Sequence, residues 1–246
     1  MYRIAMVALL VSAGLEAQDF TRVYSTASRP RALAVIADRY HSPVYIRDGL
    51  AAALVRENIP VTFVVDTTAL TAAALREHQL LIILRDGMNW PDGYDKPYVR
   101  WMPDEQQKAI VDFVNAGGAF LPLHNATAIY PPAGPYYDLL GGDFIRHPAP
   151  YQFTVRVEDR NHPVTAGVED FQVYDEHHFI KYALDPKNVL LRNMAPNNSE
   201  SPGGWWRESG KGRMVFLSLG HTPEAFAHPM FQRLLRNAIN WTLRLP

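Results

Sequence analysis

Apolar runs alternate with amphipathic stretches from Arg31 onward. Ala32 to Ala37 (ALAVIA) is short and apolar throughout, suited to a strand buried on both faces. Asp48 to Asn58 carries apolar positions at helical spacing, and Pro60 stops it. Val61 to Val65 reads as the next strand, Thr67 to His78 as a short helix, and Leu80 to Leu84 as a third buried strand. A loop rich in Gly, Asp, Asn and Pro follows from Asp86 to Pro97. Asp104 then opens an amphipathic helix with Ile110, Val111, Phe113 and Val114 inward, closed by Gly117-Gly118. Ala119 to Leu123 is a fourth strand that delivers His124-Asn125 to its carboxyl end.

Beyond Pro148 the pattern changes. Gln152 to Val157 alternates as an exposed strand does, and Phe171 to Tyr182 and Val189 to Arg192 add extended pieces. Met214 to Leu219 returns to the main sheet and ends at Gly220-His221. Phe226 to Leu243 is a terminal amphipathic helix with Phe231, Leu234, Leu235, Ala238, Ile239 and Trp241 facing inward. The order predicts an α/β fold: a doubly wound, mostly parallel sheet of flavodoxin-like type with an antiparallel excursion, in one domain from 18 to 246. Ligands of such sheets bind outside the carboxyl ends of the strands. The residues to inspect are therefore Asp38-Arg39-Tyr40-His41, Asp66, Arg85-Asp86 and His124-Asn125. No Gly-rich phosphate loop follows the first strand.

Composition narrows the function. The 246 residues are 48% hydrophobic, and 24 Lys+Arg against 25 Asp+Glu leave a net charge of −1, which gives no basic field for nucleic acid. Cysteine is absent, which excludes disulfides, thiolate metal sites and cysteine nucleophiles. At the N-terminus, Arg3, the apolar run Ile4 to Val11 and the small residues leading to Ala17 have the layout of a secretory signal peptide over residues 1–17. The apolar run is far short of the roughly 20 residues that span a bilayer, so the expectation is a periplasmic or secreted protein without a membrane span.

Several stretches together resemble the ThuA-like family, named for trehalose utilisation, within the class I glutamine amidotransferase-like superfamily. They are Gly117 to His124, Tyr137 to Pro148 (YDLLGGDFIRHP), Asn161 to Thr165, Asp175-Glu176, Gly210 to Arg213, Leu219-Gly220-His221 and the Leu234 to Trp241 helix. The resemblance covers roughly Arg31 to Trp241. In amidotransferases of this fold a cysteine sits on the tight turn after a central strand, activated by a histidine from a later strand. Here that elbow carries His124, and His221 stands at the later position. Histidine cannot form the thioester of glutamine hydrolysis, so glutaminase activity is rejected.

The expected site places His124, Glu176 and His221 as catalytic groups. His147, Asp175, Asn125, Tyr40 and Trp90 are expected to bind substrate. Imidazoles beside a carboxylate suit proton transfer, with His221 or His124 as base and Glu176 as its partner or the acid. The same set suits a divalent metal with open positions for sugar hydroxyls, although the wide chain separations form no local ligand motif. His177 and His178 point opposite ways in an extended segment, so at most one joins the site. His162-Pro163 reads as a structural turn. Trp90, Trp101, Tyr130, Tyr136, Tyr137, Trp205 and Trp206 fall in or near expected loops, where rings stack on the C–H faces of sugars or pack a lid. The resemblance implies work on a trehalose-like disaccharide or its 3-keto form, by glycosidic cleavage, elimination or isomerisation. The alternatives are a non-catalytic carbohydrate-binding protein and an interaction domain with a vestigial crevice.

Overall fold

The structure is a computed structural model that describes residues 29–246. The expected leader at 1–17 lies outside the described residues. The chain runs β1 (Ala32–Ile36), α1 (Pro43–Arg56), β2 (Val61–Val64), α2 (Ala72–Arg76), β3 (Leu80–Leu84), β4 (Met88–Asn89), β5 (Val99–Arg100), α3 (Asp104–Asn115), β6 (Ala119–Pro122), α4 (Pro135–Leu140), β7 (Gly142–Arg146), β8 (Tyr151–Val157), β9 (Phe171–Asp175), β10 (Phe179–Tyr182), β11 (Val189–Met194), β12 (Glu200–Ser209), β13 (Gly212–Leu217), α5 (Pro223–Ala227) and α6 (Pro229–Leu243). One nine-stranded sheet has the order β2-β1-β3-β6-β13-β12-β11-β8-β9. Its first five strands are parallel neighbours and the remaining pairings are antiparallel. The mixed α/β architecture with a doubly wound sheet and an antiparallel extension is the predicted one.

Strand parity explains the two cores. Ala32, Ala34 and Ile36 of β1 and Leu80, Ile82 and Leu84 of β3 face the layer containing α1 and α6. Leu33, Val35, Leu81 and Ile83 face the opposite layer with Ile110 and Val114 of α3 and Leu139 of α4. Every residue of β1 and β3 is buried, as expected for parallel strands covered on both sides.

Several elements differ from the expectation. Helix α1 starts at Pro43 instead of Asp48, because the Ser42 side chain caps the Val44 amide and Pro43 occupies the first helical position. The helix expected over Thr67 to His78 divides into a 3-10 turn at Thr67–Ala69 capped by Asp66 and α2 capped by Thr71. The terminal helix is broken at His228-Pro229 into α5 and α6, with the His228 imidazole capping the Met230 amide. Strand β12 was not anticipated, and it carries Trp205 and Trp206. Trp205 is fully buried, stacked on Phe216 at 4.1 Å, with its indole N–H donated to the Leu140 carbonyl at 2.8 Å. Tyr130, Tyr136 and Trp101 are also core residues, while Trp241 is half-buried against the α6 layer. These rings are structural, since each packs into one of the two apolar layers.

Trp205→Ala is expected to cost about 3–5 kcal/mol of unfolding free energy, since it empties a large buried volume and strands the Leu140 carbonyl. Urea denaturation followed by circular dichroism measures it.

Candidate functional site

The carboxyl ends of the parallel strands meet at one cavity of about 390 Å³. His41 arrives from the loop after β1, Asp86 from the turn after β3, Asn125 from the turn after β6 with His124 buried behind the wall, and His221 from the turn after β13. The antiparallel half adds Glu176 and His178 after β9 and His147 after β7. A larger hollow of about 660 Å³ between α1 and the C-terminal helices is lined by Arg56, Arg233 and Arg236 and contains no histidine.

Two backbone features aim the central groups. His124 has φ +47°, a left-handed conformation uncommon outside glycine, which turns its side chain out of the sheet at the elbow. Gly220 has φ +138°, and a Cβ there would lie 3.0 Å from Leu84 Cδ1 and 3.4 Å from His124 Cβ. Only glycine lets the β13 turn pass this close to the elbow. Asp175 fixes the same turn. Its buried carboxylate accepts the amides of Gly220 (2.8 Å), His221 (3.0 Å) and Thr222 (3.0 Å).

The polar network converges on Glu176. Its Oε2 lies 3.3 Å from His221 Nδ1, 3.4 Å from His178 Nε2 and 3.5 Å from His124 Nε2, and its Oε1 lies 3.2 Å from His147 Nδ1. His124 Nδ1 donates to the Ser218 carbonyl at 2.9 Å, so Nε2 is the nitrogen turned to Glu176. His41 Nδ1 donates to Asp38 Oδ1 at 2.7 Å, which leaves Nε2 facing His221 Nδ1 at 3.0 Å. Asn125 Nδ2 donates to the other oxygen of Asp38 at 2.7 Å.

Charge follows from this geometry. Burial works to raise the Glu176 carboxyl, but the imidazoles of His124 and His178 beside it and the charge contacts with His124 and His221 hold it well below the usual range. Burial likewise opposes ionisation of Asp38, yet its bond and charge contact with His41, with the Tyr40 amide and Asn125, bring it down to about 2. Burial lowers His221 to about 4, and the neighbouring His124, His41 and His147 add to that against the pull of Glu176. Burial pushes Asp86 up to about 7, reinforced by the charge of Asp38. His124 moves the other way: burial lowers it, but Glu176 and Asp175 beside it outweigh that and raise it, so the centre pairs this imidazole with one firmly anionic carboxylate.

Glu176, His221, His147, Asn125 and Tyr40 all line the cavity, whereas His124 is wholly buried behind its wall and touches it only through Glu176, 3.5 Å from its Nε2. Asp175 does not line it. Alternation along β9 turns it inward, and its oxygens are taken by backbone amides, so it positions the His221 turn instead of binding substrate. Trp90 does not line this cavity either. It belongs to an adjacent hollow of about 500 Å³, with Tyr94 at 5.5 Å and the Arg39 guanidinium over its ring at 5.3 Å. Of the adjacent imidazoles, His178 enters the site, while His177 stacks on Phe179 at 4.4 Å and bonds the Tyr151 hydroxyl at 2.6 Å. His162 caps a 3-10 turn, as its Pro neighbour implies. His41 and Asp86 fall among the strand-end positions singled out from the sequence, and His178 is the one of its pair that joins, but none of the three is in the expected site. His41 and Asp86 stood directly after buried strands, and that position was the available signal.

The sequence model of the ThuA family, described as trehalose utilisation, matches residues 20–242. The chain belongs to this family, and the family points to sugar metabolism. Among curated proteins none matches the sequence. Among solved structures, a protein described as ThuA-like from Parabacteroides merdae is similar at 17% identity and TM-score 0.66, covering 88% of this chain and 90% of that one. Another, from Bacteroides uniformis, is 21% identical with TM-score 0.65, covering 88% and 93%. A glutamine amidotransferase from Thermotoga maritima shares the fold at 12% identity and TM-score 0.51, covering 87% and 98%. No helix among the described residues is long and apolar enough to cross a membrane.

Asp175→Ala is expected to lower stability by about 3 kcal/mol, because three buried amides lose a charged acceptor. Asp175→Asn retains an acceptor oxygen and is expected to cost less. Chemical denaturation of both variants gives the comparison.

Proposed function

We propose that the cavity binds a disaccharide or its 3-keto derivative and performs acid–base chemistry on it. The reaction class is glycosidic cleavage, elimination or isomerisation. The observation that carries this reading is the cluster of His124, His221 and Glu176 at the strand ends, beside a cavity large enough for a sugar ring. Family membership supports the substrate class. A keto group acidifies the adjacent C–H, so a set of imidazoles around a carboxylate is chemically sufficient to move that proton and polarise the keto or glycosidic oxygen. His124 Nε2 is fully buried without a hydrogen-bond partner, 3.5 Å from Glu176 Oε2, so it acts on the cavity through that carboxylate. Asn125 Oδ1 is likewise unpaired at the same wall. Tyr40 stands half-exposed at the rim, where a ring can cover a C–H face of the sugar.

The test is turnover of 3-keto-trehalose and related 3-keto-disaccharides by His124→Ala, His221→Ala and Glu176→Gln. Each is expected to reduce kcat/KM by about 100-fold or more with an unchanged circular dichroism spectrum. Wild-type turnover in all three overturns the assignment, and sugar binding without any product favours a non-catalytic binding protein.

Export is part of the same reading. The layout of residues 1–17 supports a cleaved leader, so mature protein recovered from the periplasm of a Gram-negative host is expected to begin at Gln18 on N-terminal sequencing.

A further inference from the structure

We propose that His41, His124, His221 and Glu176 form a binding site for one borderline divalent first-row cation of the zinc type. One ligand atom from each residue can be chosen so that all four lie within 4.8 Å of one another. The shortest separations, 3.0 Å between His41 Nε2 and His221 Nδ1 and 3.3 Å between His221 Nδ1 and Glu176 Oε2, match the edges of a coordination sphere. Ligands about 2.0–2.1 Å from a tetrahedral ion stand about 3.3 Å apart. Three imidazoles and a single carboxylate favour zinc or its neighbours over magnesium or calcium, which take mainly oxygen ligands.

Two independent features go beyond a chance cluster. The ring of His124 is wholly buried, and its Nε2 points at the centre without a hydrogen-bond partner. A buried polar nitrogen left unpaired is costly unless a ligand completes it. The outer nitrogens are also held as ligand histidines require. His41 Nδ1 donates to the Asp38 carboxylate and His124 Nδ1 donates to the Ser218 carbonyl, which fixes the tautomers with Nε2 inward. Asp38 is itself braced by Asn125 and by the amides of Tyr40 and Asp86.

The site deepens the sugar reading and rests on it only for its role in the reaction. Expansion to a fifth position on the cavity side would let the cation polarise a keto oxygen as a Lewis acid. His124 and His221 then act as ligands. Glu176 Oε1 with His147, at 3.2 Å on the more exposed side, remains as the pair that moves a proton.

The experiment titrates chelator-stripped full-length protein with Zn²⁺ alone by calorimetry, and with Co²⁺ by visible absorption. Saturation at one ion per chain is expected, with Co²⁺ bands of a nitrogen-rich site. His41→Ala and Glu176→Gln are expected to weaken Zn²⁺ binding at least about 100-fold. Asp38→Asn, which leaves all four ligands in place, is expected to weaken it about 10–100-fold through the loosened His41 ring. Asp143→Asn, on β7 and away from the ligands, is expected to bind as wild type. Absence of one-to-one Zn²⁺ binding, or wild-type affinity in both ligand variants, overturns the site. Turnover of a 3-keto-disaccharide by the stripped protein overturns the cation's role and leaves the sugar reading standing. Normal Zn²⁺ binding without activity on any such sugar does the reverse.

Discussion

The arrangement depends on one buried carboxylate. Asp175 ends β9, at the edge of the antiparallel half, and accepts three amides of the turn that ends β13, in the parallel half. That contact brings Glu176, the next residue, against His124 and His221. Without it the two halves share a sheet but not a site, because Glu176 has no backbone route to the strand ends it meets. Burying such a charge is costly by itself, and the three amide donors are what make it tolerable.

The rest of the centre follows from topology. Parallel strands present their carboxyl ends on one side, so the residues after β1, β3, β6 and β13 converge regardless of their distance along the chain. The elbow at His124 and the glycine at 220 allow two of these ends to approach within side-chain reach. Arg85 completes the frame by donating to the Ala37 carbonyl after β1 and to Asn89 in the short β4, which ties the outer loop to the sheet.

Much of this was legible in the sequence. The all-apolar runs of β1 and β3 identify buried parallel strands, and the histidines after β6 and β13 stand where such a sheet opens. What was not legible has physical reasons. Strand β12 contains Pro202, Gly203 and Gly204, which mark a turn in isolation. In the fold they let the strand lie close to its neighbours, where a Cβ on Gly203 would meet Asn193 Oδ1 at 2.3 Å. The break before α6 depends on a histidine acting as a cap, a role its residue type does not announce. Asp175 and Glu176 are adjacent carboxylates with opposite fates, decided by which side of the chain each faces. His41 lies within a polar loop segment, and only the partner residues Asp38 and Asn125 reveal that its ring is held inward.

The left-handed backbone at residue 124 has a wider meaning. It works as a mounting whose pose is set by the sheet and the Gly220 turn and owes little to the side chain it carries. A thiol on such a mounting is an attacking group, whereas an imidazole on the same one is an electron-pair donor. A cysteine-to-histidine difference at that single position removes the attacking thiol while the surrounding scaffold is kept.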